Sequence, residues 1–371
     1  MNEVLRKMIY DYIDNNLPEY FQVHYDVTSL PSPTGEEDKK AQWILDQLKA
    51  MGAEGAYIDE AGNVVYPHCL PKEGKFPLYT AHMDTVFAGV TEIIPDIDGH
   101  ILKAPSSGDN SSSVAALLFL IRMMLSMKLQ TPAVFAFNVG EEGLGNLKGS
   151  RYLTDIWGDK LSYFIAVDGN CNRFVNLAVG SMRYAVHVVT PGGHSFGAFG
   201  NANAINEAAG MIRDLYALRV PKSPKTTYNV GTIQGGRTVN SIAEDVEFTV
   251  DMRSESATEL KKLDNAFKDI LKAHTKNDVQ VETLLLGERP CSDGILKHEI
   301  YDRITAIRKR EGLNTSFNGS STDANIPLSR HIPAMAFGVC EGRGAHTVHE
   351  EMDMSTVPFG LKQLAAFIWN L

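Results

Sequence analysis

The hydrophobic residues in the first half of the chain fall into two kinds of block. Short, almost wholly apolar runs indicate strands that are buried on both faces. Longer blocks between them have the apolar spacing or composition of helices. The predicted strands are FPLYTAH, PAVFAFNV and SYFIAVD, and the predicted helices are EEDKKAQWILDQLKAMG, SSSVAALLFLIRMMLSMK and LKGSRYLTDIW. This alternation predicts an α/β fold with a mainly parallel central sheet flanked by helices.

The pattern changes at about Gly180. The predicted order becomes strand, helix, strand, strand, helix, strand, which is that of a ferredoxin-like α+β unit. Its strands are RYAVHVVTP, TTYNVGTIQGG, VEFTVDMRS and VQVETLLL, and its helices lie in ANAINEAAGMIRDLYAL and LKKLDNAFKDILKAH. The α/β pattern then returns with YDRITAIRKREG, IPAMAFGV and LKQLAAFIWNL. We therefore predict that residues 180–288 are inserted into a domain formed by residues 1–179 and 289–371.

A local signal marks the start of the first predicted α/β helix. Thr34-Gly35-Glu36-Glu37 has the T-x-x-E spacing of a capping box. This spacing predicts that the Thr34 side chain caps a helix that begins here.

Composition and charge restrict the classes of partner and compartment. The 371 residues are 44% hydrophobic and 22% charged, ordinary values for a globular protein with a substantial core. A formal net charge of −10 argues against nucleic acid and anionic membrane as partners. The N-terminal residues MNEVLRKMIYDYIDNN lack the apolar stretch of a signal peptide, and no uncharged apolar run reaches the roughly 20 residues of a membrane span. Four cysteines without a CxxC pair favour reduced thiols and hence a cytoplasmic protein.

Polar residues, most of them acidic or histidine, gather where the predicted strands end. His82 and Asp84, Glu141 and Glu142, and Asp168 end predicted strands, whereas Asp109 and Asn110 precede a predicted helix and His346 and His349 come late in the chain. Open α/β sheets place their sites at the carboxyl ends of parallel strands, so we expect these side chains to converge. Two carboxylates about 4 Å apart repel by roughly 4 kcal/mol at an effective dielectric near 20. The sequence therefore predicts bound cations, and the histidines suit zinc, manganese or cobalt better than calcium or magnesium.

Glu141 and Glu142 are adjacent at the end of a buried strand, where two carboxylates are poorly solvated. We hypothesise that a metal binds one of them while the other takes the proton from the attacking water. Taken singly, each residue also has an ordinary explanation. Strand-end acids are often helix caps, a histidine such as His82 is often a hydrogen-bonded core residue, and Asp109 with its serines could form an N-cap cluster. We interpret His349 as a surface residue or a partner of the ligands.

The motifs H-x-D, G-D-N, E-E, D-G-N and A-H-T occur in that order, most of them at predicted strand ends. They resemble the motifs of the co-catalytic di-zinc metallopeptidase family, which includes peptidase T, glutamate carboxypeptidase, acetylornithine deacetylase and succinyl-diaminopimelate desuccinylase. The resemblance covers nearly the whole chain. It implies two divalent metal ions, zinc first, with cobalt or manganese as alternatives. The implied ligands are His82, Asp109 and Asp168 for one metal, and Asp109, Glu142 and His346 for the other.

The resemblance also implies roles for side chains beside the metals. Glu141 would be the general base, and Asp84 would orient His82 through its second ring nitrogen. In the family the inserted unit is a lid that also forms a homodimer, and a lid histidine reaches the partner's active site. GGHSFG supplies this histidine as His194, which would stabilise the oxyanion.

Three further segments resemble substrate-contacting parts of the family. GGRTVNSI and VDMRS point to Asn240 and Arg253 as contacts for a substrate carbonyl or carboxylate. GSSTDANI, which contains Gly319 and Ser320, resembles the late glycine-rich loop beside the substrate.

The expected substrate is a small peptide, cleaved as by an aminopeptidase or tripeptidase. Asp at position 168 favours this choice, because carboxypeptidases and deacylases of the family tend to have Glu there. Asn110 departs from the pattern, since many peptidase T-like members have a second Asp after the bridging one. A deacylase acting on an N-acyl amino acid, or a carboxypeptidase, remains an alternative on the same site.

Other classes of function compete with this interpretation. Gly193-His194-Ser195-Phe196-Gly197 satisfies G-x-S-x-G, and Asp323 and His346 follow in the order of an α/β-hydrolase triad, so Ser195 could be a nucleophile. Gly143-Leu144-Gly145 partly matches a dinucleotide fingerprint, although two glutamates directly before it would repel a pyrophosphate. A non-catalytic metal-binding protein is the remaining alternative.

Overall fold

A computed structural model describes residues 2–292 and 294–371 of the chain. Its helices are, in chain order, α1 (Asn2–Thr28), α2 (Asp38–Ala50), α3 (Ser113–Ser126), α4 (Lys148–Trp157), α5 (Ala204–Tyr216), α6 (Ala257–His274), α7 (Glu299–Arg310), α8 (Asn325–Ser329) and α9 (Val357–Trp369). Its strands are β1 (Tyr57–Ile58), β2 (Val64–His68), β3 (Phe76–His82), β4 (Asp96–Asp98), β5 (Ile101–Lys103), β6 (Ala133–Asn138), β7 (Leu161–Ala166), β8 (Phe174–Ala178), β9 (Gly180–Val189), β10 (Gly193–His194), β11 (Thr226–Gly235), β12 (Ser241–Ile242), β13 (Asp245–Ser254), β14 (Gln280–Arg289), β15 (Phe317–Ser320), β16 (Ala334–Ala336), β17 (Glu341–Arg343) and β18 (Glu351–Asp353). These elements form two compact units, Met1–Ala178 with Ile295–Leu371, and Val179–Gly294.

The first unit is built on an eight-stranded sheet with the order β1-β2-β6-β3-β7-β16-β8-β15. The central strands β6, β3, β7 and β16 run parallel to one another, and β15 runs parallel to β8. Antiparallel pairs occur at β1–β2, β2–β6 and β16–β8. The predicted α/β fold with a mainly parallel sheet is therefore confirmed.

The apolar runs form buried strands because helices cover both faces of this sheet. In β6, Phe135 and Phe137 belong to the core that includes residues of α1, α3 and α9. Val134 and Ala136 point to the other face and pack with residues of α4 and α8. Alternate residues of one strand thus enter two different cores, so no polar face remains.

The long helix α1 is an element that the sequence analysis did not predict. Most of its buried residues recur at helical intervals of three, four or seven positions, namely Ile9, Ile13, Tyr20, His24 and Val27, and Thr28 lies four positions after His24. Pro18 lies within the helix, and Asn16 just before it has non-helical backbone angles. The proline therefore coincides with a local break in an otherwise continuous helix.

The capping-box prediction is wrong in its detail. The helix forms, but α2 begins at Asp38 after Glu37, and no side chain caps it. The Thr34 hydroxyl instead donates a hydrogen bond to Oδ2 of Asp84, at 2.9 Å. A contact between distant segments has replaced the local one.

A small antiparallel sheet with the order β17-β18-β5-β4 completes the first unit. In this sheet β18 pairs with β5, so that Glu351 lies opposite Lys103 and Asp353 opposite Ile101. This pairing joins the segment that precedes Asp109 to the segment that follows His346.

The second unit has the order β9-α5-β11-β13-α6-β14, with a short extra pair, β10 and β12. Its main sheet has the strand order β11-β13-β9-β14, and all its neighbours are antiparallel. Val186, Phe248, Met211 and Phe267 share a core in which α5 and α6 pack on one face of the sheet. The predicted ferredoxin-like α+β unit is confirmed.

None of the helices in the described part of the chain combines the length and the apolar composition that a bilayer crossing requires.

Candidate metal centre

Three neighbouring strands of the first unit end at one edge of the sheet and present acidic or imidazole side chains there. His82 is the last residue of β3 and pairs with Asn138, the last residue of β6. Glu141 and Glu142 follow β6, and Asp168 follows β7. Because β6, β3 and β7 are parallel neighbours, their carboxyl ends meet.

Asp109 reaches the same place from the segment between β5 and α3. Asp109 and Asn110 have non-helical backbone angles within the segment Ser107–Ser112, and the peptide bond between them is cis. Oδ1 of Asp109 lies 3.1 Å from Nε2 of His82, and its Oδ2 lies 3.3 Å from Nε2 of His346. The two oxygens of one carboxylate therefore face two different imidazoles.

The converging side chains form two donor sets that share Asp109. One set comprises His82, Asp109 and Asp168, and the other comprises Asp109, Glu142 and His346. Within each set the possible ligand atoms lie within 4.8 Å of one another. Nε2 of His82 is 3.8 Å from Oδ1 of Asp168, and Nε2 of His346 is 3.0 Å from Oε1 of Glu142. All five residues expected to be ligands are thus brought together.

Glu141 lies beside these donor sets. His82, Glu141 and Glu142 make a third group whose ligand atoms lie within 4.8 Å of one another. Both glutamates are only 5% exposed. Their main-chain N–H groups donate to the two carboxylate oxygens of Asp84, at 3.0 and 2.9 Å. The buried carboxylate of Asp84 therefore fixes the main chain of the segment that carries the two glutamates.

Asp84 also faces the second ring nitrogen of His82, as expected. Nδ1 of His82 is 3.1 Å from the main-chain oxygen of Asp84 and 3.5 Å from its Oδ1. The main-chain oxygen is thus the nearer acceptor, and the carboxylate accepts mainly from the glutamate segment. Burial would raise the pKa of Asp84, but its contacts with His82 and with the N–H groups of Glu142 and Glu141 hold that pKa below its usual value.

The side chains of the centre shift one another's protonation. Burial would lower the pKa of His82, but hydrogen bonds to carboxylates, foremost Asp109, raise it well above its usual value. Hydrogen bonds to Asp109 and Glu142 raise the pKa of His346 to about 10. Burial and then the charge of Asp109 raise the pKa of Asp168 to about 7. Against the effect of burial, hydrogen bonds from both histidines hold the pKa of Asp109 below its usual range.

This arrangement fits a pair of divalent cations. Each donor set offers one imidazole nitrogen and two carboxylates, a composition that suits zinc. Asp109 can give one oxygen to each cation, since its two oxygens already face the two sets. The raised pKa values of His82 and His346 have the same cause, since the surrounding carboxylates favour positive charge at these rings.

Two side chains of helix α1 form hydrogen bonds with the main chain of the segment that carries Asp109. Nε2 of His24 lies 2.7 Å from the carbonyl oxygen of Ser107, and the Tyr20 hydroxyl donates to the carbonyl oxygen of Ser112 at 3.0 Å. Burial lowers the pKa of His24 to about 4, so the ring is neutral at pH 7. A carbonyl oxygen only accepts, so Nε2 of this neutral ring carries the proton.

Three buried carboxylates that the sequence prediction did not assign to the site lie close to it. Glu350 accepts hydrogen bonds from main-chain N–H groups of the Asp109 segment. Glu37 accepts from the N–H of Gly140, at 3.2 Å. Asp323 accepts from the Asn138 side chain at 2.7 Å, and its charge contributes to the raised pKa of Asp168.

Two of these three had a sequence signal. Glu350 follows His349 in the run HTVHEE, and Asp323 lies in GSSTDANI, a segment already associated with the site. Glu37 has no such signal, because it is distant in sequence from the glutamates that it supports.

The other predicted site residues divide between the units. Gly319 and Ser320 lie on β15 of the first unit, whereas His194, Asn240 and Arg253 belong to the second. Within the second unit, β10 pairs with β12, which places His194 opposite Ser241. Nδ1 of His194 accepts from the N–H groups of the two residues after Ser195, at 3.2 and 3.3 Å. Arg253 donates to Asp251 at 2.7 Å.

The structure does not support Ser195 as a nucleophile on an elbow. An elbow needs a strand that enters a helix directly at the serine. Here β10 is only two residues long, a turn follows it, and the next helix begins at Ala204. His349 is exposed, in agreement with its interpretation as a surface residue.

Comparison with known proteins identifies relatives of this chain. A family model described as "Peptidase family M20/M25/M40" matches residues 78–370. In sequence, the chain is 35% identical over 130 residues to a protein of Pyrococcus abyssi named putative LysW-lysine/LysW-ornithine hydrolase. That alignment spans 34% of each of the two chains.

Two solved structures share the fold over nearly the whole chain. The aminopeptidase PepT from Bacillus cereus has a TM-score of 0.76 at 20% identity and is matched over 95% of this chain and 98% of its own. A tripeptidase from Staphylococcus aureus has a TM-score of 0.78 at 20% identity, with the same coverage of 95% and 98%. At this level of identity the likeness establishes the fold.

We predict that zinc binding at pH 7 releases protons and strengthens as the pH rises. His82 and His346 hold protons at this pH, because their pKa values are raised, and only neutral imidazole can bind a metal. Titration calorimetry in buffers of different ionisation enthalpy measures the number released, which we expect to be at least about two. The variant His349→Gln, altered at an exposed neighbouring histidine, should release the same number. A binding enthalpy independent of the buffer would contradict this electrostatic description.

Proposed function

Because the chain belongs to the peptidase family M20/M25/M40, we propose that it hydrolyses peptide bonds of small peptides with two divalent metal ions. The observation that carries the proposal is that Asp109 is shared by two donor sets, each with one imidazole and two carboxylates. Neither a helix cap nor a solvated loop requires such convergence. We propose zinc as the ion, since imidazole mixed with carboxylate suits it.

In this proposal His82, Asp109 and Asp168 hold one ion, and Asp109, Glu142 and His346 hold the other. Once bound, the ions supply Lewis acidity, which lowers the pKa of a water molecule and polarises the substrate carbonyl. The protein's own part is to fix the donors and to move protons. Asp84 orients His82 at its second ring nitrogen, a role supported by the 3.1 and 3.5 Å contacts.

Glu141 is the proposed general base. Its carboxylate takes the proton of the attacking water and passes it to the nitrogen of the leaving amine. This role is supported by its burial and by its closeness to His82 and Glu142, with which it forms one group of ligand-type atoms. In this assignment Glu141 is not one of the five metal ligands, so its carboxylate takes the role of proton carrier.

We propose that residues 180–288 act as a lid and as the dimer contact, and that residues 1–179 and 289–371 form the catalytic domain. His194 of one subunit would then donate to the oxyanion in the site of its partner. Asn240 and Arg253, with Gly319 and Ser320, would contact the substrate. Support comes from the family resemblance of their motifs, and from the ring of His194, whose Nδ1 accepts two N–H bonds and so leaves Nε2 as the donor.

The proposed substrates are short peptides with a free amino end, handled by a cytoplasmic enzyme. Asp168, together with the likeness to an aminopeptidase and a tripeptidase, supports this choice over other amides. The Pyrococcus abyssi relative is named as a hydrolase of LysW-lysine or LysW-ornithine, so the substrates tested should also include amides other than small peptides. Deacylation of N-acyl amino acids and carboxypeptidase action on the same centre are the competing outcomes.

A substrate screen tests the proposal directly. Zinc-loaded protein should release the N-terminal residue of dipeptides or tripeptides faster than it releases acetate from N-acetyl amino acids or glutamate from the C-terminus of peptides. A chelator should abolish the activity, and zinc, cobalt or manganese should restore it. Faster release of acetate or of a C-terminal residue would change the substrate class. Activity that survives complete metal removal would contradict the proposal, and metal binding without hydrolysis of any substrate would favour a non-catalytic protein.

Glu141→Gln tests the general base. The amide keeps the size of the side chain but cannot accept the proton, so kcat should fall by about 10²–10⁴-fold. Zinc content should stay near that of the wild type, because Glu141 is not a proposed ligand. Glu73→Gln, the same change in an exposed loop, is the control and should leave kcat unchanged. Near-normal turnover by Glu141→Gln would remove this role.

Mixed dimers test whether His194 acts across the subunit boundary. His194→Ala and Glu141→Gln should each inactivate the homodimer while leaving zinc bound. A heterodimer of the two variants would regain one intact site only if His194 serves the partner's centre. Refolding or co-expressing the two variants should therefore restore activity. No activity in purified heterodimers would show that any action of His194 is within its own subunit.

A further inference from the structure

Glu350 is buried next to the centre without being one of its ligands. It is 2% exposed, and its carboxylate accepts three main-chain N–H groups of one short segment. Oε2 accepts from Ser106 at 3.0 Å, and Oε1 accepts from Gly108 and from Asp109 at 2.8 Å each. Asp109, whose carboxylate joins the two donor sets, is thus held by its own N–H group.

The backbone of Glu350 is fixed by pairing of strands. Its carbonyl oxygen accepts from the N–H of Ala104 at 3.1 Å, directly beyond the β18–β5 pair. β5 leads into the Asp109 segment, and β18 follows the segment that carries His346. Glu350 therefore lies where the two ligand segments meet, and its side chain connects one to the other.

The fit between Glu350 and this segment is close. A Cβ atom added to Gly108 would lie 2.8 Å from Oε1 of Glu350, nearer than real Cβ contacts allow. Glycine at this position lets the backbone approach the carboxylate. The three N–H groups, together with the absence of a side chain at Gly108, form a binding site for the carboxylate of Glu350.

A neutral side chain at position 350 would satisfy these three N–H groups less well than a carboxylate does. Two carboxylate oxygens accept three N–H groups, whereas the amide of glutamine has one acceptor oxygen and an NH₂ group that faces donors. Burying a charge beside Asp109 is costly for the protein alone. In agreement with this cost, burial raises the pKa of Glu350 to about 7, although the hydrogen bonds from the three N–H groups act to lower it.

We propose that Glu350 is a positioning residue that sets the metal affinity of the centre, by fixing the backbone from which Asp109 reaches both donor sets. The inference rests on the proposed function only through the role of Asp109 as a shared ligand. In Glu350→Gln, at least one N–H group loses its acceptor, and Asp109 is no longer held in one orientation. Both ions should bind more weakly, since both use this carboxylate.

The experiment measures metal binding without reference to hydrolysis. Zinc is titrated into the metal-free wild-type chain, Glu350→Gln and the control Glu351→Gln in competition with a chromophoric chelator. Glu351 is the adjacent residue, carries the same charge and pairs with Arg343 at 2.8 Å, away from the three N–H groups. Glu350→Gln should bind zinc about 10–100-fold more weakly, and the control should match the wild type.

The visible spectrum of the cobalt-loaded proteins provides a second readout. A shift of the Glu350→Gln bands relative to those of the wild type and the control indicates altered ligand geometry, which a loss of stability alone would not produce. Gly108→Ala should also weaken zinc binding, because its added methyl group would lie 2.8 Å from Oε1 of Glu350 and displace the carboxylate from the N–H groups. This second variant decides the question if Glu350→Gln does not fold.

The outcomes separate the two proposals. Zinc affinity of Glu350→Gln within twofold of the wild type, with unchanged cobalt bands, would overturn the role of Glu350 and leave the proposed function intact. If Glu350→Gln cannot be purified folded, the same result for Gly108→Ala would overturn it. A wild-type chain that binds no divalent ion would overturn the proposed function and this inference together.

Discussion

The first unit is organised around the mutual repulsion of carboxylates collected at one edge of its sheet. Pairs of such charges repel by several kcal/mol when they are a few ångströms apart in a protein. Close to the centre, two imidazoles face the shared carboxylate of Asp109. Farther out, the buried carboxylates of Glu37, Asp84 and Glu350 accept main-chain N–H groups from the segments that carry the acidic side chains. Each outer carboxylate orders a segment, and each also adds negative charge that favours cations. The same outer carboxylates therefore hold the ligand segments in place and favour the binding of cations.

The ion pairs between histidines and carboxylates keep the donors close to one another. Four parts of the first unit make the supporting contacts. Helix α1 and the small sheet with β5 and β18 hold the Asp109 segment, the segment before α2 holds the glutamate segment, and the residues at the end of β3 hold His82. Two of these, α1 and the small sheet, act on the Asp109 segment, which explains how a ligand on a loop is held as firmly as a residue on a strand.

Much of the fold and most of the ligand set could be predicted because their signals are local. β3, β6 and β7 are buried on both faces, so their apolar runs are easily recognised and the ligands follow them directly. Features that depend on distant partners could not be predicted. Thr34 has the spacing of a cap, but its hydroxyl reaches Asp84 instead. Glu350 acquires its contacts only when β5 and β18 pair, and strands of three residues have no readable period. For α1 the signal is present, since its buried residues recur at helical intervals.

The match to the family begins at residue 78, after α1 and α2 have ended. Yet His24 and Tyr20 of α1 bind the carbonyl groups of the Asp109 segment, and Glu37 binds the N–H of Gly140. Several contacts that hold the Asp109 segment and the glutamate segment therefore come from residues that precede the part of this chain that matches the family model. Substitutions in this leading part of the chain can thus displace the Asp109 segment or the glutamate segment while all five proposed ligands stay unchanged.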